Sequence, residues 1–207
     1  MITVIDIDIG NISSVGNALH RLGIPFRISG KPEDVSEAEK LIFPGVGNFC
    51  EAARRMEVLG IDRIVRKRVL EDKVPILGIC LGMQLFASYG EEGGGSKGLD
   101  LIKGKVSLLR SGETALPLPH IGWNEVHFND FKLFSSIQDG TCFYFVHSYE
   151  MIIEEPMTMA FSDYGVQFVA AIHKNNIVGV QFHPEKSQKA GLTFLNNYCR
   201  DFNCAQT

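Results

Sequence analysis

Along the first half of the chain, the hydrophobic pattern alternates between short continuous apolar runs and segments with apolar residues three or four positions apart. Four short apolar runs, "ITVIDI", "PFRIS", "KLIF" and "VPILGI", are typical of strands buried in a sheet. Between them, residues 12–22 and residues 61–69 carry apolar side chains three or four positions apart, which predicts amphipathic helices, the second with a basic outer face. Residues 81–89 are apolar on all sides, so we expect a helix that is buried all round.

The second half of the chain has a different pattern, in which strand-like segments follow one another and are joined by turns. These segments are "KGKVSLLR", "WNEVHF", "CFYFVHSYE", "TMAFS", "FVAAIHK" and "NIVGVQFHP". A last helix is indicated by one apolar face, formed by Leu192, Leu195, Cys199 and Phe202. The segment "EEGGGSKG" (91–98) is typical of a surface loop. Alternating βα units followed by hairpins predict an α/β fold, whose mostly parallel central sheet carries antiparallel additions.

Composition narrows the class of protein. The chain has 207 residues, of which 45% are hydrophobic and 21% charged, so we expect a single domain over residues 1–207 with one sizeable core. The formal net charge is -4, and no stripe of lysine and arginine is present. This balance argues against nucleic acid or an anionic membrane as the main partner.

The start of the chain and the cysteines indicate a compartment. The first residues, "MITVIDIDIG", hold two aspartates and no basic cluster, so we expect no secretion leader. No apolar run reaches the length of a membrane span. The 5 cysteines are scattered and include no C-x-x-C pair, which disfavours a disulfide framework and a cysteine zinc site. We therefore expect a cytoplasmic protein without a metal or cofactor.

Cys80 is the first candidate for chemistry. It lies in "GICLG", after a buried strand and before a predicted helix, which is the layout of a nucleophile elbow. Small neighbours let strand and helix approach each other, and the helix N-terminus favours the reactive thiolate. The backbone N–H of Leu81 would be free to bind a developing oxyanion. The pentapeptide by itself is equally compatible with a buried structural cysteine.

A nucleophile needs a base and a group that orients the base. His183-Pro184-Glu185 ends an apolar strand, and side chains two positions apart in an extended segment point the same way. Because Pro184 favours extended geometry for the residue before it, Glu185 could reach one imidazole nitrogen and leave the other for the thiol. A surface turn or a core histidine would also account for this tripeptide. No H-E-x-x-H motif is present, which disfavours a zinc hydrolase.

A third motif, "FPGVGNF" (43–49), follows another predicted strand. In a parallel sheet it would lie at the same edge as Cys80. Its glycines could expose a backbone N–H as a second oxyanion donor, although such a turn by itself is usually only a turn.

These motifs, in this order and at these separations, resemble those of class I (triad-type) glutamine amidotransferases. The matching segments are "PGVG", "GICLGMQL" and "QFHPEKS", and the resemblance covers essentially the whole chain. "IGNISSV", "LPHIGWNEV" and "FYFVHSY" resemble, more narrowly, the glutaminase subunits of imidazole glycerol phosphate synthases. The resemblance implies a flavodoxin-like α/β domain that hydrolyses glutamine to glutamate and ammonia.

The resemblance also implies roles for single residues. Cys80 matches the nucleophile, His183 the base and acid, and Glu185 the orienting carboxylate. The amides of Val46 and Leu81 match the oxyanion hole.

Further positions match those that bind the substrate or the partner in this family. Those that bind glutamine would be Gly47, Gln84, His147, Ser148 and Tyr149. Those that face a synthase subunit would be Asn11, Trp123 and Lys186. Simple packing would equally explain the tryptophan, and a solvated surface position would equally explain the lysine.

The resemblance implies a separate partner that uses the ammonia, since a (β/α)₈ barrel alone needs roughly 250 residues. We expect a heterodimer with a (β/α)₈ cyclase subunit that makes imidazole glycerol phosphate in histidine biosynthesis. The family's first loop reads Asp-Tyr-Gly-x-Gly-Asn, whereas this chain has Asp6-Ile7-Asp8-Ile9-Gly10-Asn11. Because that loop borders the partner, a paralogous synthase of surface sugars stays open. A catalytically inactive binding subunit and a stand-alone cysteine hydrolase stay open as well.

Overall fold

The computed structural model describes residues 1–10, 12–110 and 116–202. Its strands are β1 (Ile2–Ile5), β2 (Phe26–Ser29), β3 (Lys40–Gly45), β4 (Ile76–Cys80), β5 (Tyr89–Gly90), β6 (Ser96–Lys97), β7 (Gly104–Leu108), β8 (His120–Phe128), β9 (Thr141–His147), β10 (Tyr149–Ile153), β11 (Thr158–Asp163), β12 (Gln167–Lys174) and β13 (Ile177–Val180). Its α-helices are α1 (Ile12–Arg21), α2 (Pro32–Ser36), α3 (Phe49–Leu59), α4 (Ile61–Leu70), α5 (Leu81–Gln84) and α6 (Gln188–Asn196). Short 3-10 turns cover Glu92–Gly94, Lys132–Phe134 and Pro184–Lys186, and a π-helical turn covers Asn197–Asp201. Across these ranges, every helix is too short or too polar to cross a bilayer.

One large mixed sheet organises the fold. In the described ranges its strand order is β2-β1-β3-β4-β13-β12-β11-β8-β9. The pairings from β2 as far as β13 are parallel, and those from β13 to β9 are antiparallel. A small second sheet has the order β10-β7-β5-β6. The predicted α/β fold with a parallel sheet and antiparallel additions is therefore confirmed, and the additions occupy a whole side of the sheet.

The two faces of the large sheet are covered by different layers. On one face, buried residues of α3, α4 and the small sheet join one hydrophobic cluster. On the other, α1, α6 and the antiparallel strands join a second cluster. Residues of β3 and β4 alternate between the two clusters, which explains why both strands are continuous apolar runs.

Glycines next to β4 permit an unusually close approach of backbone segments. A Cβ atom on Gly78 would lie 2.6 Å from the backbone nitrogen of Met83, and one on Gly82 would lie 1.7 Å from the carbonyl oxygen of Phe43. Any side chain at these two positions would push α5 away from β3 and β4. The small residues that flank Cys80 therefore set the distance between helix and sheet.

The buried helix predicted for residues 81–89 is wrong in length, since α5 ends at Gln84. The carbonyl oxygens of Leu85, Phe86 and Ala87 accept hydrogen bonds from the backbone of a returning segment, residues 99–102. Carbonyls occupied in this way cannot continue a helix. The apolar side chains from Leu81 to Ala87 are buried as predicted, whereas Tyr89 is 43% exposed. Tertiary hydrogen bonds replace the helical ones after α5.

Other departures from the predicted elements concern β9, β10, two further helices and the segment 91–98. "CFYFVHSYE" forms β9 and β10, which separate at Ser148 and belong to different sheets. The helices α2 and α3 were not predicted. In α3 the first turn is capped by Asn48, whose side chain accepts a hydrogen bond from the backbone N–H of Glu51 at 3.2 Å. The segment "EEGGGSKG" is more ordered than a loop, because it contains the Glu92–Gly94 turn and β6.

Candidate active site

Cys80 is the last residue of β4 and directly precedes α5. Its backbone has φ 54° and ψ −110°, a combination that L-residues rarely adopt. In the parallel sheet it pairs with Gly45, the last residue of β3. The fold thus holds a buried thiol in a strained turn at the carboxyl edge of the parallel strands, where open α/β sheets place their ligands.

His183 and Glu185 come together after β13, the strand beside β4. Nδ1 of His183 lies 2.8 Å from Oε1 of Glu185, and each side chain is only 2% exposed. His183 has an extended backbone, but the Pro184–Lys186 segment forms a 3-10 turn. The carboxylate therefore reaches the imidazole through a tight turn, and the predicted extended geometry is wrong for Glu185. Ser187 reinforces the turn by donating a hydrogen bond from Oγ to the His183 carbonyl at 2.7 Å.

The environment of His183 favours the imidazolium form. Burial opposes the charge, but the Cys80 sulfur and the Glu185 carboxylate outweigh burial and raise the pKa of His183 to about 10. The other ring nitrogen, Nε2, is buried without a hydrogen-bond partner among the described residues. A group that can charge and that keeps one nitrogen uncommitted is suited to exchange protons with a neighbouring thiol.

The glycine-rich loop after β3 lies against this turn. A Cβ atom on Gly45 would lie 3.0 Å from the Leu81 Cβ, so the loop contacts the start of α5. Gly47 has φ +137°, and Val46 is 38% exposed. The N–H of Leu81 belongs to the first turn of α5, which leaves it without an intrahelical acceptor. α5 is only one turn long, so its dipole adds less at Cys80 than the predicted nine-residue helix would.

A cavity of about 180 Å³ opens at Cys80. Its wall includes all of the predicted oxyanion and glutamine-binding positions, namely Val46, Leu81, Gly47, Gln84, His147, Ser148 and Tyr149. Glu92 lines the same cavity and was not predicted. Its Oε2 accepts a hydrogen bond from the Phe49 backbone N–H at 2.8 Å, which fixes the carboxylate at the N-terminus of α3.

Gln84 lines the cavity, and two hydrogen bonds to protein acceptors hold its side-chain amide in place. Its Nε2 donates to the Tyr149 carbonyl at 2.9 Å and to Oε1 of Gln181 at 3.0 Å. Gln181 in turn donates from Nε2 to the Cys80 sulfur at 3.5 Å, and Cys80 donates to the Val146 carbonyl at 3.7 Å. The side chain of Gln181 is fully buried, and no role was predicted for it.

His147 is a second buried histidine at the cavity. Its Nδ1 lies 2.9 Å from the Tyr149 carbonyl, and its Nε2 lies 3.0 Å from Nδ1 of His120. Burial lowers the pKa of His147 to about 4 and that of His120 to about 4. Both ring nitrogens of His147 are thus committed to protein groups, and the ring forms a neutral part of the wall.

Two of the predicted partner-facing residues, Trp123 and Lys186, lie beside Tyr144, whose carbonyl accepts a hydrogen bond from the His183 backbone N–H. Trp123 is 48% exposed and packs edge-on against Tyr144 with ring centroids 6.1 Å apart. The ammonium of Lys186 lies 5.6 Å from the centroid of the same tyrosine ring. Ile121 is 59% exposed and precedes Trp123 by two residues on β8. Asn11, the third predicted position, lies outside the described residues.

Three residues that contact the site were not predicted from the sequence: Glu92, Gln181 and His120. Glu92 stands in a segment whose composition is typical of a loop. Gln181 lies two residues before His183, and that proximity was the one available signal. His120 belongs to "LPHIGWNEV", but its contact with His147 is a consequence of the β8–β9 pairing.

Comparisons with known proteins agree with this geometry. The family model for class-I glutamine amidotransferases matches residues 3–201. The imidazole glycerol phosphate synthase subunit HisH of Moorella thermoacetica is 44% identical over 199 residues, which are 95% of this chain and 93% of the relative. The subunit of the same name from Bacillus subtilis is 42% identical over 205 residues, covering 97% of this chain and 96% of the relative.

A solved structure shows the same fold at much lower identity. The crystal structure of a glutamine amidotransferase superposes with a TM-score of 0.74 at 18% identity, and it covers 97% of this chain and 99% of that chain. At this identity the likeness concerns the fold alone.

Proposed function

We propose that this chain, a member of the class-I glutamine amidotransferase family, hydrolyses glutamine with Cys80, His183 and Glu185. Within the family it belongs with the HisH subunits of imidazole glycerol phosphate synthase. The observation that carries the assignment is the juxtaposition of a buried thiol and a buried imidazole–carboxylate pair at the ends of two neighbouring parallel strands, β4 and β13. A strained turn holds the thiol, and the adjacent strand supplies a buried imidazole paired with a carboxylate. A nucleophile, a base and an orienting group are the set that acyl transfer requires.

The cavity suits the two ends of glutamine. The carboxamide would lie at Cys80, between the amides of Leu81 and Val46. Among the described residues that line the cavity, Glu92 is the only carboxylate, and it would receive the substrate's α-ammonium group. Gln84 and the backbone of residues 147–149 form the wall between these ends.

The chemical steps follow from this arrangement. His183 takes the thiol proton, and the Cys80 thiolate attacks the carboxamide carbon. The resulting oxyanion accepts hydrogen bonds from the amides of Leu81 and Val46. The His183 imidazolium then gives its proton to the leaving nitrogen, ammonia departs, and a glutamyl thioester remains. In the second half, His183 takes a proton from water, which attacks the thioester and releases glutamate. Glu185 stabilises the imidazolium in both halves.

The ammonia requires an acceptor, and we propose a (β/α)₈ cyclase subunit as the heterodimer partner. An exposed face formed by Ile121, Trp123, Tyr144 and Lys186 supports this proposal, because it is rich in aromatic groups and lies beside the triad. The backbone N–H of His183 donates to the Tyr144 carbonyl at 2.8 Å, which joins this face directly to the catalytic base. The partner would then make imidazole glycerol phosphate from the delivered ammonia.

We also propose that the 1–207 chain acts as one domain in the cytoplasm. Cysteines 50, 80, 142 and 199 are unpaired in the described residues, as expected in a reducing compartment.

Substitution of the nucleophile tests the assignment. Cys80→Ala, assayed with the cyclase subunit present, should lower glutamine hydrolysis by at least about 10³-fold, because the covalent route is lost. Cys142→Ala is the matched control, since Cys142 is an exposed cysteine on β9, and it should keep wild-type turnover. Wild-type turnover in the Cys80→Ala variant would refute the assignment.

A further inference from the structure

The sulfur of Cys80 is the end of a buried chain of hydrogen bonds that does not involve His183. The chain begins at the Tyr149 carbonyl, which accepts from Nε2 of Gln84 at 2.9 Å. The same nitrogen donates to Oε1 of Gln181 at 3.0 Å, and Nε2 of Gln181 donates to the sulfur at 3.5 Å. Gln84 is 4% exposed and Gln181 is 0% exposed, so water does not compete for these bonds.

The Tyr149 carbonyl determines which group donates and which accepts in each hydrogen bond of this series. A backbone carbonyl can only accept, so the Gln84 atom that faces Tyr149 must be the nitrogen. That nitrogen has a second N–H, which requires an acceptor, and the Gln181 atom beside it must therefore be the oxygen. Gln181 consequently has to present its nitrogen to Cys80. The amide orientation follows from chemistry alone and is not a free choice.

The sulfur has a second contact, which favours the opposite protonation state. The Val146 carbonyl lies 3.7 Å from the sulfur and can accept the S–H of a neutral thiol. A thiolate beside a carbonyl oxygen gains nothing from that contact and is repelled by it. The Gln181 N–H, by contrast, can only donate and is strengthened when sulfur is charged.

We propose that Gln181 is a positioning residue of the glutaminase reaction, which holds the Cys80 sulfur in place and stabilises its thiolate through the N–H that Gln84 orients. Its importance for turnover rests on the proposed function, whereas its effect on the thiol does not. Gln181 is also well anchored: its backbone N–H donates to the Ala170 carbonyl at 2.8 Å and so continues the pairing of β13 with β12. One strand end therefore delivers both the donor to the sulfur and, two residues later, the base.

The test measures the thiol directly in the full chain. Cys80 is alkylated with iodoacetamide over a range of pH, and the rate is read at that residue alone by peptide mass spectrometry. Gln181→Met removes the donor at nearly constant volume, and Gln181→Glu replaces the amide with a carboxyl group, whose negative charge would oppose the thiolate. We expect the pH midpoint of alkylation to rise by about one unit in Gln181→Met and further in Gln181→Glu.

The control is Gln167→Glu, which makes the same change of charge at an exposed position at the start of β12 and should leave the midpoint at its wild-type value. If Gln181→Met does not fold, Gln84→Met interrupts the chain one bond further from sulfur, and the midpoint should rise there too. Unchanged midpoints in the folded Gln181 variants, or in Gln84→Met, would overturn the proposal.

Steady-state kinetics separate this proposal from the proposed function. With the cyclase subunit present, Gln181→Met should lower kcat about tenfold with little change in KM, because the thiolate is formed less readily. A shifted alkylation midpoint in an enzyme that never hydrolyses glutamine would keep the role of Gln181 and refute the glutaminase assignment. Normal hydrolysis of glutamine by a Gln181 variant with an unshifted alkylation midpoint would keep the glutaminase assignment and refute the role of Gln181.

Discussion

Two buried histidines lie close to Cys80, and the protein favours the charged form of one and the neutral form of the other. His183 is 1% exposed and His147 is 6% exposed, so burial hardly distinguishes them. The pKa of His183 is nevertheless raised to about 10, whereas that of His147 is lowered to about 4. The partners make the difference. The pKa of His183 is raised by the Cys80 sulfur and by the Glu185 carboxylate, which lies 2.8 Å away, whereas His147 faces a carbonyl and a second imidazole.

Hydrogen bonding also fixes the protons of the neutral pair, His147 and His120. The Tyr149 carbonyl can only accept, so Nδ1 of His147 carries the proton. Its Nε2 must then accept from the Nδ1–H of His120, which stacks on Tyr164 at a centroid distance of 4.1 Å. One imidazole is thus equipped to move protons, and the other is a neutral structural element. Burial alone does not create a catalytic histidine; the hydrogen-bond partner does.

One way to weaken the contrast while keeping the Cys80 thiol is to remove the carboxylate of Glu185. Glu185→Gln keeps the size of the side chain but loses the charge that stabilises the imidazolium, so the pKa of His183 should fall. We expect kcat for glutamine hydrolysis to drop by roughly 10³–10⁴-fold, by analogy with amide substitutions in other triads. Glu154→Gln, at an exposed position, is the control and should leave kcat unchanged. A Glu185→Gln enzyme within tenfold of the wild type would show that the carboxylate does not support the base.

Replacing His183 and His147 separately by glutamine tests whether the two histidines have different roles in turnover. His183→Gln removes the proton carrier through which Glu185 acts, so kcat should fall at least as far as it does in Glu185→Gln. His147→Gln keeps a neutral side chain that can donate to the Tyr149 carbonyl and accept from His120, so the loss should stay below about tenfold. The measurement is kcat and KM for both variants with the cyclase subunit bound. Equal losses in the two variants would contradict the division of roles.

The neutral state of His147 should also affect how the free energy of unfolding depends on pH. Because the pKa of His147 is about 4 in the folded protein and near 6.5 when unfolded, the unfolded chain binds more protons between these values. Stability is therefore full above about pH 6.5 and is lost as pH falls towards 4, by up to about 3 kcal/mol for this residue. Urea unfolding at pH 7 and pH 4.5 should show a smaller acid loss in His147→Gln than in the wild type. An identical loss in both proteins would mean that His147 is not buried in the neutral form.

The sequence alone was sufficient where the motif is local. Gly78 and Gly82 bracket Cys80 within five residues, and the glycines predict the close strand–helix contact that the structure contains. The order of strand and helix patterns likewise predicted the parallel side of the sheet, since each βα unit is contiguous in sequence.

Features that depend on distant partners could not be predicted in this way. Gln181 and Cys80 are 101 residues apart in sequence, and Gln84 and Tyr149 are 65 apart. Nothing in either local segment indicates such a contact. The end of α5 at Gln84 has the same origin, because carbonyls that would extend the helix accept hydrogen bonds from residues 99–102. Local pattern thus identified the proposed nucleophile and base, while long-range hydrogen bonds determine what holds these side chains.

The most direct test of the central claim is covalent trapping by a glutamine analogue that carries an electrophile in place of the carboxamide. Mass spectrometry of the intact chain with the cyclase subunit bound should show one adduct, located on Cys80, whose formation is slowed by added glutamine. The Cys80→Ala variant should show no adduct at any cysteine. Labelling that spreads to Cys50, Cys142 or Cys199, or that proceeds equally fast in the presence of glutamine, would contradict the claim that Cys80 is the nucleophile of a glutamine site.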